Sequence, residues 1–371
     1  MRNSTPLSFS VAAGPFRIIG FMPVKGLRQQ QLLLKQKKEC MQSKEFFIGI
    51  DVSKLTLDVS VSGTKNHLRI QNSSEGFKQL QSWLKSVNIA VSDCWFVFEY
   101  TGGYEYRLVQ FLQSKGILFT RVPGLEIKKS MGMQRGKNDK IDSKRIAEYG
   151  YEKRDKLKEH KACSTAITRL KLLLTQRSGF VDDKKAHEHR MKELEAMMDL
   201  KAGDPILKHY KQAVDFAVRM IAKTENEIMK IFSKNEAMNK NFTLITSIPG
   251  IGKVNGWMTI AYTENFERFP HGRAYGAYIG VVPYEHSSGS SIKGKSRVSH
   301  MANKTLKADL SMAAKASVKH DPEMKTYYER RTALGKRHMG IMNEVKFKLV
   351  LRMFAVVNKG EVYVKNLKSA A

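Results

Sequence analysis

The chain has few cysteines, no long apolar run and a shortage of acidic residues. Its 371 residues include three cysteines, which are widely spaced and odd in number: Cys40, Cys94 and Cys163. With no Cys-x-x-Cys pair they predict no zinc site, and their scarcity is typical of a reducing compartment. No stretch is apolar enough over enough residues to span a bilayer, so we expect no membrane association through helical spans. These absences favour a cytoplasmic protein.

Positive charge dominates what remains. The chain has 64 Lys and Arg against 35 Asp and Glu, a formal net charge of +29 and a sequence pI near 9.9. Such an excess predicts a polyanionic partner, because neutralising phosphates supplies the sequence-independent part of nucleic-acid binding. The length and the 42% of hydrophobic residues allow two or three domains with cores of their own.

Four carboxylates stand out in this basic chain. Apolar strands run directly into Asp51 (FFIGID) and Glu99 (WFVFE), while Asp139 and Asp142 are three residues apart and would share one face of a helix. Each acid alone could be an ordinary surface residue or a helix cap. Together they predict a Mg²⁺ site, because clustered carboxylate oxygens suit this ion and paired Mg²⁺ ions promote phosphoryl transfer. Four carboxylates could hold one ion or two.

Residues 45–155 alternate between strand and helix patterns. Three early strands with hairpin spacing are followed by helices and strands in turn, with Ser73 or Ser74, and then Asn138 or Asp139, as candidate helix N-caps. This pattern predicts a ribonuclease-H-like (RuvC-like) α/β domain. A parallel nucleotide-binding fold would lack the early hairpins and would have a glycine-rich phosphate loop, which we do not find.

Residues 156–240 read as charged coiled-coil helices. A heptad stripe on one helix would face leucines 170, 173 and 174 of an earlier helix, and Gly203-Asp204-Pro205 would form the turn between them. The sequence leaves open whether the stripe pairs within the chain or with another subunit. The stripe comprises Tyr210, Val214, Ala217, Ile221, Thr224, Ile228 and Ile231.

Residues 241–371 predict a mostly helical third domain with two notable segments. Ile248 to Gly252 (IPGIG) resembles the turn of helix-hairpin-helix modules, in which glycines let backbone N–H groups approach a phosphate; a plain helix-joining turn is the alternative. The segment 287–299 is rich in Ser, Gly and Lys, which by spacing alone is typical of a flexible loop. A basic C-terminal surface is also expected, formed by Lys336, Arg337, His338, Lys346, Lys348 and Arg352.

Residues 1–44 differ from the rest of the chain. Three prolines and a basic run ending at Lys38 interrupt the first 40 residues, and the short apolar pieces do not form a secretory signal. We interpret this segment as a disordered basic arm, or as upstream sequence in front of a true start at Met41.

The motifs IGIDVSK, FEYTGGY, RGKNDKIDSKRIAE, SIPGIGK and SSGSSIKGKSRVSH, in this order, resemble the DEDD-type transposases of the insertion-sequence one-ten class. These are relatives of Piv-type DNA invertases and include bridge-RNA-guided recombinases. The resemblance covers roughly residues 45–363. It places Asp51, Glu99, Asp139 and Asp142 on the DEDD acids and Ser288 on the nucleophilic serine, with Ser287, Ser290 and Ser291 as neighbours that a shifted alignment would select.

The resemblance implies a recombinase that cuts and rejoins DNA through a covalent phosphoserine. The acids would bind Mg²⁺, and the acids and the serine would come from different subunits of a tetramer joined by coiled-coil helices. A structured non-coding guide RNA would pair with donor and target DNA, while the protein holds nucleic-acid backbones. Such an enzyme would associate with the bacterial nucleoid. Candidate backbone contacts are Gly250, Gly252, Lys253, Lys293, Lys295 and Arg297.

Two other functions fit parts of this pattern. A metal-dependent RuvC-like junction nuclease would use the four acids to activate water and would need no serine, but it would have no use for a third domain with a Ser-Gly segment. A nucleic-acid-binding protein that cleaves nothing would have no need of the complete set of acids and serine.

Overall fold

A computed structural model describes residues 44–130, 138–160, 163–201, 203–288, 292–299 and 301–364. The chain forms two compact units, one ending at Ala162 and the other beginning at Cys163. The proposed arm over residues 1–40, together with Ser290 and Ser291, lies outside the described residues. No helix in the described ranges is both long and apolar enough to cross a membrane.

The first unit is built on a five-stranded mixed sheet in the order β3-β2-β1-β4-β5. The first three strands pair antiparallel, whereas β4 pairs parallel with both β1 and β5. This confirms the predicted ribonuclease-H-like α/β fold. The strands are β1 (Phe46–Val52), β2 (Thr56–Val61), β3 (His67–Gln71), β4 (Cys94–Glu99) and β5 (Phe119–Val122).

Helices cover both faces of this sheet. Because β1 and β4 are apolar on both faces, their side chains divide between two cores, one around Phe96 and Phe98 and the other around Phe47 and Trp95. Ser73 caps the first helix and Asn138 caps the fourth, so one residue of each predicted pair is the cap. The helices are α1 (Ser74–Ser86), α2 (Tyr106–Ser114), α3 (Gly124–Ser130) and α4 (Asp139–Glu152), with a 3₁₀ turn at Val91–Asp93.

The second unit is mostly helical and begins with a long antiparallel pair, α5 (Thr165–Met198) and α6 (Pro205–Ser233). Asp204 caps α6 at the predicted turn. In the heptad stripe, Ala217, Thr224 and Ile228 are buried, and Ile228 shares a core with the leucines of α5. These three residues of the stripe therefore pack within the chain.

The other helices of the second unit pack against the N-terminal part of α5 and the C-terminal part of α6. Ile245, Trp257 and Val345 belong to the same core as Leu170, so the helical hairpin and the C-terminal helices share one apolar interior. The helices are α7 (Glu236–Thr246), α8 (Lys253–Thr263), α9 (Gly272–Ile279), α10 (Lys304–His320), α11 (Pro322–Ala333) and α12 (His338–Lys359).

The Ser/Gly/Lys segment is a hairpin rather than the loop predicted from its composition. Strands β6 (Tyr284–Ser288) and β7 (Ile292–Arg297) pair antiparallel, with an irregularity between Tyr284 and His286. The base of the hairpin is anchored, because Asn343 Nδ2 on α12 donates to the carbonyl of Val281 at 2.9 Å. These strands contain few apolar residues, so no apolar alternation marks them in the sequence. Strand pairing is made by backbone hydrogen bonds and does not need such an alternation.

The prediction of a basic C-terminal surface is wrong for two of its residues, Lys346 and Arg352. Lys346 on α12 is buried, with only 3% of its surface exposed. Arg352 is held by two carboxylates at 2.6 Å, those of Asp321 and Glu323. Both side chains lie on the inward side of α12, which a count of basic residues does not reveal.

Candidate active site

The carboxyl ends of β1 and β4 bring two of the predicted acids side by side. The last paired residues of the two parallel strands are Ile50 and Phe98, and Asp51 and Glu99 follow them directly. Adjacent strands lie about 4.8 Å apart, so the two acids occupy neighbouring positions at one edge of the sheet. Both side chains are partly buried.

Helix α4 brings the other two acids to the same edge. A Cβ on Gly49 of β1 would lie only 2.2 Å from the backbone nitrogen of Ala147 and the carbonyl oxygen of Ser143, so the helix backbone sits directly on the strand. The hydroxyl oxygens of Ser143 and Ser60 lie 2.8 Å apart in the interior and tie α4 to β2. This close packing places the first turn of α4, which carries Asp139 and Asp142, beside Asp51.

The electrostatics of Asp51 place the other predicted acids in its neighbourhood. Burial, followed by the charges of Asp139, Asp142, Asp58 and Glu99, raises the pKa of Asp51 from 3.8 to about 6. A carboxylate surrounded by like charges is harder to ionise. The other three predicted acids are therefore close enough to Asp51 to oppose its ionisation.

Arginines partly balance this negative charge. Arg145 Nη1 lies 3.0 Å from Asp142 Oδ1, and Arg69 Nη2 lies 3.8 Å from Asp139 Oδ2. Asp142 and Asp139 thus each have a cationic partner.

Sequence reasoning missed a fifth acid at this edge, Asp58. It lies opposite Asp51 in the β1–β2 pairing and is only 4% exposed. Its Oδ1 lies 3.0 Å from His67 Nε2, and its Oδ2 lies 3.7 Å from Arg69 Nε. The available signal was an aspartate within the period-two strand LDVSV. We interpret Asp58 as a residue that orients the side chain of Arg69, which extends from β3 toward α4.

Glu99 depends on a glycine. Gly124 begins α3, and a Cβ at this position would lie 1.7 Å from Glu99 Oε1. The Glu99 carboxylate therefore rests against the backbone of Gly124.

We expect Gly124→Ala to displace the Glu99 carboxylate and to lower metal-dependent DNA cleavage at least tenfold, because small misplacements of reacting groups are costly. Steady-state cleavage measured over a Mg²⁺ titration checks this, with Gly179→Ala as a comparison at a glycine within α5 that has open space around it and no positive φ. Unchanged cleavage at all Mg²⁺ concentrations in Gly124→Ala would show that Glu99 needs no such support.

The donor set fits a divalent cation, although the ligands are not gathered around one point. Within the described ranges no three acidic, histidine or cysteine side chains are grouped closely enough to hold an ion. The acids nevertheless supply hard oxygen donors, and a bound cation would offset the burial and the like charges that raise the pKa of Asp51.

The candidate serine and basic residues lie in the second unit. Ser288 is the last residue of β6 and pairs with Ile292, while Lys293, Lys295 and Arg297 belong to β7. Their backbone positions place the predicted nucleophile at the end of β6 and the three basic residues on the strand that pairs with it.

The IPGIG turn joins α7 and α8, and its two glycines differ in their surroundings. Gly250 has φ of +97°, and a Cβ there would lie 2.6 Å from the carbonyl oxygen of Ala313, so this glycine packs against α10. Gly252, the N-cap of α8, and Lys253 are exposed. Gly250 is half-buried, so these two of the three predicted contacts in the turn are the more accessible ones.

The ribonuclease-H-like fold, the acids near Asp51 and the helical unit fit a transposase of the DEDD type. Residues 48–196 match a family model described as "Transposase", for DEDD transposases of the IS110 type, and residues 242–329 match the "Transposase IS116/IS110/IS902 family". The two matches cover both units in the expected order, and the chain belongs to the IS110 family of transposases.

Similar proteins agree with this assignment. The chain is 25% identical over 331 residues to the pilin gene-inverting proteins of Moraxella lacunata and Moraxella bovis, covering 86% of this chain and 98% of each relative. Over 120 residues it is 29% identical to an uncharacterized 43.6 kDa protein of insertion element IS110 from Streptomyces coelicolor, covering 32% of this chain and 29% of that protein.

Proposed function

We propose that this transposase cuts and rejoins DNA by serine chemistry, assisted by Mg²⁺ bound to its four DEDD acids. The observation that supports the metal part is the raised pKa of Asp51, which is caused by burial and then by the nearby charges of Asp139, Asp142, Asp58 and Glu99. The full-length similarity to pilin gene-inverting proteins supports DNA as the substrate. The net charge of +29 supports binding to nucleic-acid backbones.

In the proposed reaction, the hydroxyl oxygen of Ser288 forms a bond to a backbone phosphorus. The bond between that phosphorus and one flanking deoxyribose oxygen breaks, and this oxygen leaves as a hydroxyl after taking up a proton. Bound Mg²⁺ would stabilise the charge that develops on the phosphate and make deprotonation of serine less costly. Asp51, Glu99, Asp139 and Asp142 would hold the ion.

Rejoining reverses this exchange on a new partner. A free deoxyribose hydroxyl attacks the phosphoserine, the bond to the serine oxygen breaks, and the phosphodiester forms again. Each broken DNA linkage is conserved as a serine linkage, so the cycle needs neither DNA synthesis nor an external energy source. We also propose that an element-encoded guide RNA selects the sites and that a tetramer performs the exchange.

Trapping a covalent protein–DNA adduct tests the proposal. Purified protein is incubated with Mg²⁺, end-labelled plasmid DNA and RNA transcribed from the non-coding end of its element, then analysed under denaturing conditions. We expect an adduct with wild type and with Ser287→Ala, and none with Ser288→Ala, because only the nucleophile forms the bond. Omitting the RNA is expected to abolish the adduct as well.

Other outcomes would contradict the proposal in different ways. Metal-dependent nicking that persists in Ser288→Ala, without an adduct, would identify a RuvC-like nuclease that activates water. An adduct that is lost only in Ser287→Ala would move the nucleophile by one residue. DNA binding without any cleavage would identify a non-catalytic binding protein, and an adduct formed without RNA would remove the guide from the proposal.

A further inference from the structure

The loop that follows Glu99 exposes several aromatic side chains. Tyr100, Tyr104 and Tyr106 are 58%, 52% and 49% exposed, and Leu55, in the loop after Asp51, is 70% exposed. Large apolar side chains this accessible are unusual when grouped around one edge of a sheet. They flank the carboxyl ends of β1 and β4, where the candidate metal ligands lie.

A buried acid makes this loop rigid. Glu105 is only 2% exposed, and its Oε2 accepts hydrogen bonds from the backbone N–H of Gly103 at 2.9 Å and from the hydroxyl of Thr101 at 2.5 Å. Arg121 Nη1 lies 3.4 Å from Glu105 Oε1. These contacts fix the backbone on both sides of the glycines, so the tyrosines are presented from a preformed loop.

A buried amide joins this loop to the one after Asp51. Asn72, which is 5% exposed, donates through Nδ2 to the carbonyl of Tyr104 at 2.9 Å and to that of Ser53 at 3.2 Å. Its backbone N–H also donates to the carbonyl of Leu55 at 2.8 Å. One residue thus fixes Tyr104 and Leu55 in relation to the two acid-bearing strand ends.

Cations accompany the exposed rings. The guanidinium of Arg121 lies over the ring of Tyr100, 4.9 Å from its centroid. Arg107 and Lys54 are exposed on the flanking segments. Aromatic faces interleaved with cations are the composition of surfaces that bind single-stranded nucleic acid, in which bases stack on rings and phosphates meet the cations.

We propose that Tyr100 and Tyr104 form a stacking platform for an unpaired DNA base beside the phosphate that reacts. The proposal rests on the proposed function for its substrate. DNA is the occupant because the platform adjoins Glu99, where the reacting DNA phosphate would bind. Holding one base out of the stack would keep the adjacent phosphate in a fixed position for strand exchange.

Binding to single strands with and without bases tests the platform. Fluorescence anisotropy of the full chain in EDTA measures affinity for a 20-nucleotide oligothymidylate and for a 20-unit abasic DNA strand with the same phosphates. We expect the double variant Tyr100→Leu/Tyr104→Leu to bind the thymidylate about tenfold more weakly and the abasic strand unchanged. The corresponding double Phe variant keeps both rings and should bind as wild type does.

Tyr151 offers a matched control in the same unit. It is 51% exposed, and the guanidinium of Arg154 lies 4.6 Å from its ring centroid, but it lies near the C-terminal end of α4, away from the acids at its start. Tyr151→Leu should leave binding of both strands unchanged. Thermal unfolding of each variant identifies any that fail to fold. If the double Leu variant does not fold, the platform is tested with the double Phe variant and with the ratio of thymidylate affinity to abasic-strand affinity in each single Leu variant.

Several results would overturn the platform. One is that the double Leu variant loses as much affinity for the abasic strand as for the thymidylate, or loses none for the thymidylate. Another is that Tyr151→Leu loses as much affinity as the double Leu variant. The last is that the double Leu variant loses affinity only for a 20-nucleotide oligouridylate RNA. Binding is measured without metal, so failure of the serine chemistry leaves this test intact. Conversely, a serine adduct that still forms in the double Leu variant with unchanged binding would reject the platform while retaining the proposed function.

Discussion

Asp51→Asn is expected to lower DNA cleavage by about a thousandfold or more while making the metal-free protein more stable. The loss of activity follows because Asp51 lies at the centre of the acid cluster, so its neutral amide would weaken the binding of the ion that stabilises the transition state. The gain in stability follows because partial burial, and then the charges of the other carboxylates, oppose the ionisation of Asp51. Catalytic residues are commonly held in environments that destabilise the folded protein, so replacing them often raises stability while it lowers activity.

The size and pH dependence of the gain follow from the pKa. A rise from 3.8 to about 6 corresponds to about 3 kcal/mol, and solvent screening of a partly exposed side chain reduces the expected gain to about 1 kcal/mol. Because the folded pKa lies above the unfolded value, the folded state holds the proton more tightly. Wild type should lose stability as the pH rises from about 4 to about 6, and Asp51→Asn should lose less.

Thermal unfolding with and without Mg²⁺ measures both effects. At pH 7.5 Mg²⁺ should raise the Tm of wild type but not that of Asp51→Asn, because an ion that binds only the folded state stabilises it. The stabilisation should decline below pH 6, where protons compete for Asp51. Asp155→Asn, at an exposed acid after α4, serves as the control and should behave as wild type does. Equal Mg²⁺ stabilisation of Asp51→Asn and wild type would remove Asp51 from the metal site.

Local signals made the first unit predictable. Period-two and apolar runs gave the strands, and serine or asparagine before an amphipathic segment gave the helix starts at Ser73 and Asn138. The apolar runs that lead into Asp51 and Glu99 placed each acid near the end of a strand. Each of these inferences needs only the chain within about ten residues of the feature.

What the sequence concealed depends on residues far apart in the chain. The contact of Gly124 with Glu99 and the pairing of Asp58 with Asp51 arise only when separate strands and helices meet. The burial of Lys346 likewise depends on where α12 packs, since lysine alone predicts exposure. The β6–β7 hairpin was missed for a different reason, because few of its residues are apolar.

Gly49→Ala is expected to destabilise the first unit by about 3 kcal/mol and to abolish cleavage. The new Cβ would meet backbone atoms of Ser143 and Ala147 at 2.2 Å, and backbone inside a packed helix has no rotamer with which to move aside. Helix α4 would have to shift away from β1, carrying Asp139 and Asp142 away from Asp51. Urea unfolding followed by the fluorescence of Trp95, which is buried in this unit, measures the loss of stability.

A second glycine separates this clash from the general effect of adding a methyl group. Gly179 lies within α5 with no atom near the position of a Cβ, so Gly179→Ala should be neutral or stabilising by up to about 1 kcal/mol. If α4 is displaced, Mg²⁺ should also fail to stabilise Gly49→Ala under conditions in which this variant is still folded. If Gly49→Ala instead unfolds as wild type does and still cleaves DNA, then α4 does not rest on β1 as described, and the acids of α4 reach Asp51 by another route.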